Sequence, residues 1–324
     1  MQMAESPSPS CAAAFGEGIS CIIPAMHNIK LTLAYDGTGF HGWQIQRSRP
    51  SIQGALTDVV RKITQESITV HGAGRTDAGV HALGQVAHFK TRSELTPEDF
   101  KRALNALLPP AIRVVAAEEV GPDFHARWQA VSKTYVYRFL RGRVASPFDW
   151  RYGLHYPWPL DEAAMAEAAR LFEGEHDFTS FAASSGSEDD DRRRAPVREI
   201  FRSEIVANPA GIGILASLLA GNLPDSSDLS PRPSLRFAES GGLHRSPETG
   251  PLSPELLFVI RGRSFLRYMV RKIAGTLIDV GKGRLAPADI PRLFEIRDRS
   301  KSGATLPPVG LFLVAVEYPD PWRV

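Results

Sequence analysis

The sequence predicts an α+β protein whose two halves share a similar pattern of strands and helices. Residues 28–120 follow the order strand, helix, strand, strand, helix, strand, and residues 131–318 repeat it over a longer stretch. Alternation of apolar and polar residues marks the strands, and apolar residues three and four apart mark the helices. The chain has 324 residues, 43% of them hydrophobic, which is enough for a large core. We therefore expect the two sheets to join around that core.

The first half is predicted to begin with a strand at 29–35, in which apolar residues alternate with polar ones. Ser51 can cap a helix with an apolar stripe, because its side chain accepts from a free backbone N–H. Thr96 and Pro97 mark the start of a second helix, since proline is favoured at the first helical position. A strand at 112–120 ends this half.

The second half is predicted to follow the same order. Its long helix is expected to end at Gly281, because glycine commonly follows the last helical turn. The predicted strands span 131–140, 197–206, 256–263 and 310–318, and the predicted helices span 161–172, 264–280 and 287–296.

The domain boundaries follow from shifts in composition. Residues 1–27 are rich in Ser, Pro and Ala and lack periodicity, so we expect a disordered extension. Residues 28–125 then form the N-terminal subdomain and residues 126–324 the C-terminal one. A Ser-, Pro- and Gly-rich stretch at about 208–254 is expected to be an insertion into the C-terminal subdomain.

Charge and cysteine content limit the class of protein. The net charge is only +2, so affinity for a nucleic acid must come from local basic surface. Both cysteines, Cys11 and Cys21, lie in the extension, which suits a reducing cytoplasm. No apolar run is long enough to span a membrane.

The most informative stretch runs from Gly72 to Phe89 and contains four glycines. It is predicted to be a sharply bent loop between strands at 68–71 and 85–89, displaying Arg75, Thr76 and Asp77. A dinucleotide-binding loop is excluded because Asp77 replaces the third glycine, and no Gly-Lys-Ser/Thr of a P-loop follows. A structural turn with a local Arg–Asp pair remains open on chemistry alone.

Residues 74–82 read Gly-Arg-Thr-Asp-Ala-Gly-Val-His-Ala without interruption, and this stretch resembles the signature of the TruA family of tRNA pseudouridine synthases. Further matches follow in the family's order, and the resemblance covers roughly residues 28–207 and 255–319. These matches lie at 34–38, 42–44, 123–127, 133–137, 176–181, 265–271 and 310–319.

The resemblance implies a fold of two ferredoxin-like halves around a central, mostly antiparallel sheet, with the catalytic cleft between them. It also implies a homodimer that needs no cofactor and no metal. The implied substrate is tRNA, modified on the 3′ side of the anticodon stem-loop at positions 38–40. The implied reaction is isomerisation of uridine to pseudouridine.

The resemblance also assigns roles to individual residues. Asp77 is the expected catalytic residue, either as nucleophile or as the base that removes a ribose proton; its ordinary pKa of about 3.9 leaves it charged at neutral pH. Arg271 is expected to form a bidentate pair with Asp77 and keep it ionised. Tyr135 is expected to pack on the target base and assist in removing its C5 proton. Arg75 would fill the space left by the flipped base or pair with Asp77, and Leu311 would contact the base.

Contacts to the RNA backbone require basic side chains, because the overall charge balance supplies no general attraction. Each such basic side chain could instead be an ordinary solvated charge on the surface. The candidates are Arg47, Arg49, Arg127, Arg261, Arg263, Arg267 and Lys272.

Two other functions stay open. The first is a non-catalytic RNA-binding protein on the same fold, which loss of activity in an Asp77→Asn variant would distinguish from an enzyme. The second is a metal hydrolase that uses histidines, although these lack the HExxH spacing and any cysteine partner. The histidines in question are His71, His81, His88 and His125.

Overall fold

The computed structural model describes residues 25–182, 196–208 and 255–320. Most of the predicted extension, residues 1–24, lies outside the described residues. The same holds for residues 209–254, which make up nearly all of the predicted insertion.

The N-terminal part of the chain contains four strands and two helices in the predicted order. Both helices begin at the predicted caps, because Ser51 Oγ accepts from Gly54 N and Thr96 Oγ1 accepts from Asp99 N, each at 3.2 Å. The elements are β1 His27–Tyr35, α1 Ile52–Thr64, β2 His71–Gly72, β3 His81–Thr91, α2 Pro97–Leu107 and β4 Ile112–Val120.

The C-terminal part repeats this order and adds short elements that the sequence pattern does not predict, among them β6 and β7. Its strands are β5 Ser132–Leu140, β6 Leu154–His155, β7 Gly174–Asp177, β8 Val197–Asn208, β9 Glu255–Gly262 and β10 Leu311–Glu317. Its helices are α3 Glu162–Arg170, α4 Met269–Gly281 and α5 Asp289–Ile296.

In the described ranges the strands form one ten-stranded sheet with the order β4-β1-β3-β10-β5-β9-β8-β7. Strand β2 also pairs with β3, and β6 pairs with β5. All pairs are antiparallel except β3–β10 and β5–β6. The prediction of an α+β protein with a large, mostly antiparallel sheet is therefore confirmed.

The two parts of the sheet meet where β3 runs parallel to β10. The register there consists of two pairs, Phe312 with His81 and Leu313 with Ala82. We call this contact the β3–β10 seam. Helices cover one sheet face, where the main core holds residues from both parts, such as Phe89 of β3 and Tyr137 of β5. Alternate residues of the same strands, such as Val136, form a smaller apolar cluster.

Three predicted elements differ from the structure by more than two residues. The strand predicted at 85–89 is β3, which already begins at His81, so the loop before it is shorter than predicted. Helix α4 begins at Met269 and not at 264, because Tyr268 adopts a left-handed backbone with φ 62° that a helix cannot contain. Phe265 and Arg267 therefore precede the helix. The strand predicted at 68–71 is limited to β2, because only His71 and Gly72 pair with β3. In the described parts of the chain, every helix is too short or too polar to cross a lipid bilayer.

Candidate active site

The loop at 73–80 joins β2 to β3 and ends at the β3–β10 seam, because the first residue of β3, His81, pairs with Phe312. Strand β5 lies on the other side of β10. The loop therefore stands where side chains from both parts of the sheet can meet.

Backbone and side-chain hydrogen bonds hold the loop in place. Trp43 N donates to Thr76 O at 3.1 Å, and Gln85 Nε2 donates to Gly74 O at 3.0 Å. The Thr76 hydroxyl lies 2.9 Å from the Tyr35 hydroxyl, and Thr76 is only 7% exposed. The prediction that the loop displays Thr76 is therefore wrong, because this side chain turns inward and anchors the loop to β1.

Among the four glycines of this stretch, at 72, 74, 79 and 84, only Gly79 has a positive φ, at 78°. A left-handed backbone is thus needed at one of the four positions. Gly84 is required for another reason. A Cβ at Gly84 would fall far inside van der Waals contact with the backbone oxygen of Val314 in β10, so this glycine allows β3 and β10 to approach.

Replacing Gly84 by alanine is expected to lower the free energy of unfolding by about 1–3 kcal/mol, because the new methyl group must push β3 away from β10. Activity should fall as well, since the loop depends on this register. Thermal denaturation followed by circular dichroism measures the effect. Gly39→Ala is the matched control, because a Cβ at Gly39 has no neighbour within 4 Å; equal melting temperatures of the two variants would refute the argument.

Asp77 lies beside Arg271, which α4 contributes from the C-terminal part of the chain. Arg271 Nη1 is 3.4 Å from Asp77 Oδ2, with the two side chains 13% and 20% exposed. Arg271 Nε donates to Leu306 O at 2.6 Å. The expected bidentate pair is therefore not formed, because one edge of the guanidinium holds the loop at 306 and a single Nη1 contact remains for Asp77.

Burial and charge act in opposite directions on Asp77. Burial is the larger effect and raises the pKa of Asp77 above its ordinary value of 3.8, whereas Arg271 and Arg267 lower it. The expectation of an ordinary pKa for Asp77 is therefore wrong, because loss of hydration outweighs the single contact with Arg271. The carboxyl group is thus more basic than an exposed aspartate.

Tyr135 lies on β5 and is 8% exposed. Its ring meets the Phe265 ring edge-on, with the centroids 5.1 Å apart. Burial and the nearby Tyr35 and Asp77 all raise the pKa of Tyr135, so the hydroxyl stays protonated. In the described ranges this hydroxyl has no hydrogen-bond partner, whereas the Tyr137 hydroxyl donates to Pro307 O at 2.8 Å. Tyr137 is therefore a satisfied core residue, and Tyr135 presents a polar group to the site.

The other two residues named for the site differ in exposure. Arg75 is exposed, and its Nε donates to Gln44 Oε1 at 3.1 Å. Leu311 begins β10 and is buried in the main core, paired with Tyr137 of β5. The structure thus brings Arg75 into contact with solvent and places Leu311 in the core, on the strand that pairs with both β3 and β5.

The candidate RNA-binding residues fall into three groups. Arg47, Arg49 and Arg127 are exposed, and Arg127 stacks on Trp128 with its guanidinium carbon 4.9 Å from the ring centroid. Arg267 is exposed and contacts the Tyr268 ring at 4.8 Å. The remaining three have protein partners. Arg261 forms an ion pair with Glu317, and Arg263 forms one with Glu199. Lys272 is buried, and its ammonium group donates a hydrogen bond to Gly303 O. Lys272 therefore holds the loop at 303 and does not reach the surface.

The histidines pack against one another and against aromatic rings. The His88 ring is 5.2 Å from the His71 ring and 4.7 Å from the His125 ring, and His88 Nδ1 accepts from Ala126 N. His81 stacks on Phe312 at 4.8 Å. Across the described ranges, no three His, Cys, Asp or Glu side chains are placed to hold a metal ion.

Sequence reasoning did not identify several residues that build the site. Tyr35 and Gln85 anchor the loop, Gln44 contacts Arg75, and Lys133 lies against Gly74. Arg271 also contacts the backbone oxygen of Leu306, and a pattern of side chains in the sequence does not predict such a backbone contact. Strand alternation could have identified Lys133 as a site residue, because it lies two residues before Tyr135 and therefore shares its face of β5.

Comparisons with known proteins identify the family of this chain. The model of the tRNA pseudouridine synthase family matches residues 32–129 and 168–319. A tRNA pseudouridine synthase A from Solibacter usitatus (strain Ellin6076) is 44% identical over 293 residues, which cover 90% of this chain and 100% of the relative. Proteins of the same name from Caldicellulosiruptor saccharolyticus and Methylacidiphilum infernorum are each 39% identical, over 90% and 91% of this chain and 100% and 97% of the relatives. The chain therefore belongs to the TruA family of tRNA pseudouridine synthases.

Proposed function

We propose that this protein isomerises uridine to pseudouridine in tRNA. The observation that carries the proposal is the placement of Asp77, on a loop held by hydrogen bonds, beside Arg271 and close enough to Tyr135 for its charge to raise the pKa of that tyrosine. Membership of the family and the names of the relatives support the same reaction.

The reaction breaks the N1–C1′ bond of uridine, turns the base and joins C5 to C1′. The C5 proton leaves and N1 gains a proton, so the product is an isomer and no group is added. A base inside a stem or loop must leave its stack to reach Asp77. The ionised carboxylate then acts at the ribose, either by attacking C1′ or by removing a ribose proton.

The other residues prepare the site for this step. Arg271 orients the Asp77 carboxylate and opposes the effect of burial on its pKa. Tyr135 packs against the flipped base, and its protonated hydroxyl donates to a base or ribose oxygen. Leu311 supplies apolar surface that contacts the base. Arg75 is exposed to solvent and fills the space that the flipped base leaves in the RNA stack.

The proposed substrate region is the 3′ side of the anticodon stem-loop, at tRNA positions 38–40. Exposed Arg47, Arg127 and Arg267 provide positive charge for the phosphate backbone. Such scattered contacts suit recognition of a folded RNA by its shape more than by its base sequence.

We further propose that the sheet comprises two ferredoxin-like halves, residues 28–125 and 126–324, which share the catalytic cleft. The strand orders β4-β1-β3-β2 and β10-β5-β9-β8 support this. In each half the fourth, first, third and second strands lie side by side, once the short β6 and β7 of the second half are left out of the count. The family resemblance further suggests a homodimer in the cytoplasm. Analytical ultracentrifugation tests the dimer: a sedimentation mass equal to the chain mass of 35.5 kDa at micromolar concentration would contradict it.

Incubation with unmodified transcripts of tRNA, followed by chemical mapping of pseudouridine, tests the function. We expect pseudouridine in the 3′ side of the anticodon arm and none in a transcript whose anticodon-arm uridines are replaced by cytidines. Binding of tRNA without any pseudouridine would favour the non-catalytic alternative. Modification confined to other regions would refute the proposed substrate site.

A further inference from the structure

Lys133 lies on β5 two residues before Tyr135, and both side chains point to the same face of the strand. A methyl group built on Gly74 would lie 3.4 Å from Lys133 Nζ and 3.5 Å from its Cε. The lysine side chain therefore runs directly against the loop, three residues before Asp77.

The ammonium of Lys133 differs from those of the two buried lysines, Lys30 and Lys272. Lys30 pairs with Glu118 at 3.4 Å, and Lys272 donates to Gly303 O at 3.1 Å. Within the described ranges, Lys133 has neither a hydrogen bond nor an ion pair, although it is partly buried. Burial and the nearby Arg127 lower its pKa to about 8. A cation held in this way is destabilising unless an anion reaches it.

We propose that Lys133 binds a phosphate oxygen of the RNA backbone next to the flipped nucleotide. This rests on the proposed function, in which the ribose of that nucleotide lies against Asp77. Phosphates flank that ribose on both sides, and the proposed contact joins one of them to the ammonium beside Gly74. A phosphate is preferred to a neutral base edge because two cations, Lys133 and Arg127, act on the same region.

The contact has a definite pH dependence. The charged and titratable groups near Lys133 are Arg127, Tyr135 and, along the loop, Asp77. The arginine stays charged, and burial raises the pKa of both Tyr135 and Asp77. In free protein the ammonium loses its proton as the pH rises through about 8. Only the protonated form binds phosphate, so affinity for tRNA should fall between pH 7.5 and 9.

The test compares Lys133→Met, Lys133→Arg and the control Lys101→Met, whose lysine lies on α2 in an ion pair with Glu98. Dissociation constants for tRNA are measured against KCl concentration at pH 7.0 and 9.0. For Lys133→Met we expect binding about tenfold weaker at pH 7.0. The slope of log K against log[KCl] should be shallower by roughly 0.7–0.9, as for one lost phosphate contact. Lys133→Arg should restore the slope and bind equally at both pH values, because arginine keeps its charge.

Kinetics separate this role from direct chemistry on the base. Loss of the phosphate contact should raise KM with a smaller change in kcat, whereas a lower kcat with wild-type KM and salt slope would overturn the inference. A wild-type slope for Lys133→Met, or a pH-dependent affinity for Lys133→Arg, would also overturn it. If the wild-type protein binds tRNA but forms no pseudouridine, the proposed function fails, and the salt slopes still report on Lys133. Circular dichroism melting checks that each variant is folded.

Discussion

Replacing Asp77 by asparagine is expected to abolish pseudouridine formation and to leave the fold at least as stable as in the wild-type chain. An amide can neither attack C1′ nor remove a ribose proton, so turnover should fall by at least about 10⁴-fold. The fold should tolerate the change, because burial outweighs the arginine and raises the pKa of Asp77 above its unfolded value. Asp77 therefore holds its proton more tightly in the folded state than in the unfolded state. As the pH rises above the folded-state pKa, the buried ionised carboxylate lowers the free energy of unfolding.

Single-turnover assays with labelled tRNA and calorimetric melting at pH 7 measure both effects. Asp58→Asn is the matched control, since Asp58 is exposed on α1, and it should change neither activity nor melting temperature. Asp77→Asn should still bind tRNA. Near-normal turnover of Asp77→Asn would remove Asp77 from the mechanism, and a large fall in its melting temperature would show that the carboxylate stabilises the fold.

Replacing Arg271 by methionine should lower kcat/KM by about 10²-fold, because a charge-assisted hydrogen bond contributes roughly 1.5–3 kcal/mol to orientation of the carboxylate. The variant should also shift the acid limb of the pH profile. Activity requires ionised Asp77, so log(kcat/KM) falls as the pH drops through its pKa. Without Arg271 that pKa rises further, and the limb moves to higher pH.

A profile of kcat/KM from pH 4 to 8 measures the shift, and Arg284→Met is the control, because Arg284 lies beyond the end of α4 and pairs with Asp279 at 3.3 Å. Arg271→Lys should shift the limb less than Arg271→Met, since it keeps the charge but cannot hold both Asp77 and Leu306 O. An acid limb that stays in place in Arg271→Met would show that this arginine does not act on Asp77.

Local sequence predicted the regular elements well where pattern and capping agreed. The strand at 112–120 has the predicted bounds, and both helices of the first half start at their predicted caps. The start of α4 was not predictable, because an apolar stripe continues through 264–268 in the sequence while Tyr268 takes a left-handed backbone. Tertiary packing of Phe265 on Tyr135 competes there with helix propensity.

The functional site was predictable only in part, because its side chains are oriented by contacts between residues far apart in the sequence. The family motif identifies the loop and Asp77, but the sequence does not say which side chains turn inward. Thr76 is buried because Tyr35 offers it a hydrogen bond from β1, a contact between residues 41 positions apart. Likewise, the single contact between Arg271 and Asp77 follows from the competing Leu306 carbonyl.

The β3–β10 seam has a consequence for biosynthesis. Asp77 is translated long before Tyr135 and Arg271, and the last strand needed to bring them together, β10, ends only at Glu317. A nascent or truncated polypeptide thus carries the reactive loop without its counterparts and has no competence to modify RNA. Enzymatic activity would therefore appear only after β10 has been synthesised and has paired with β3 and β5.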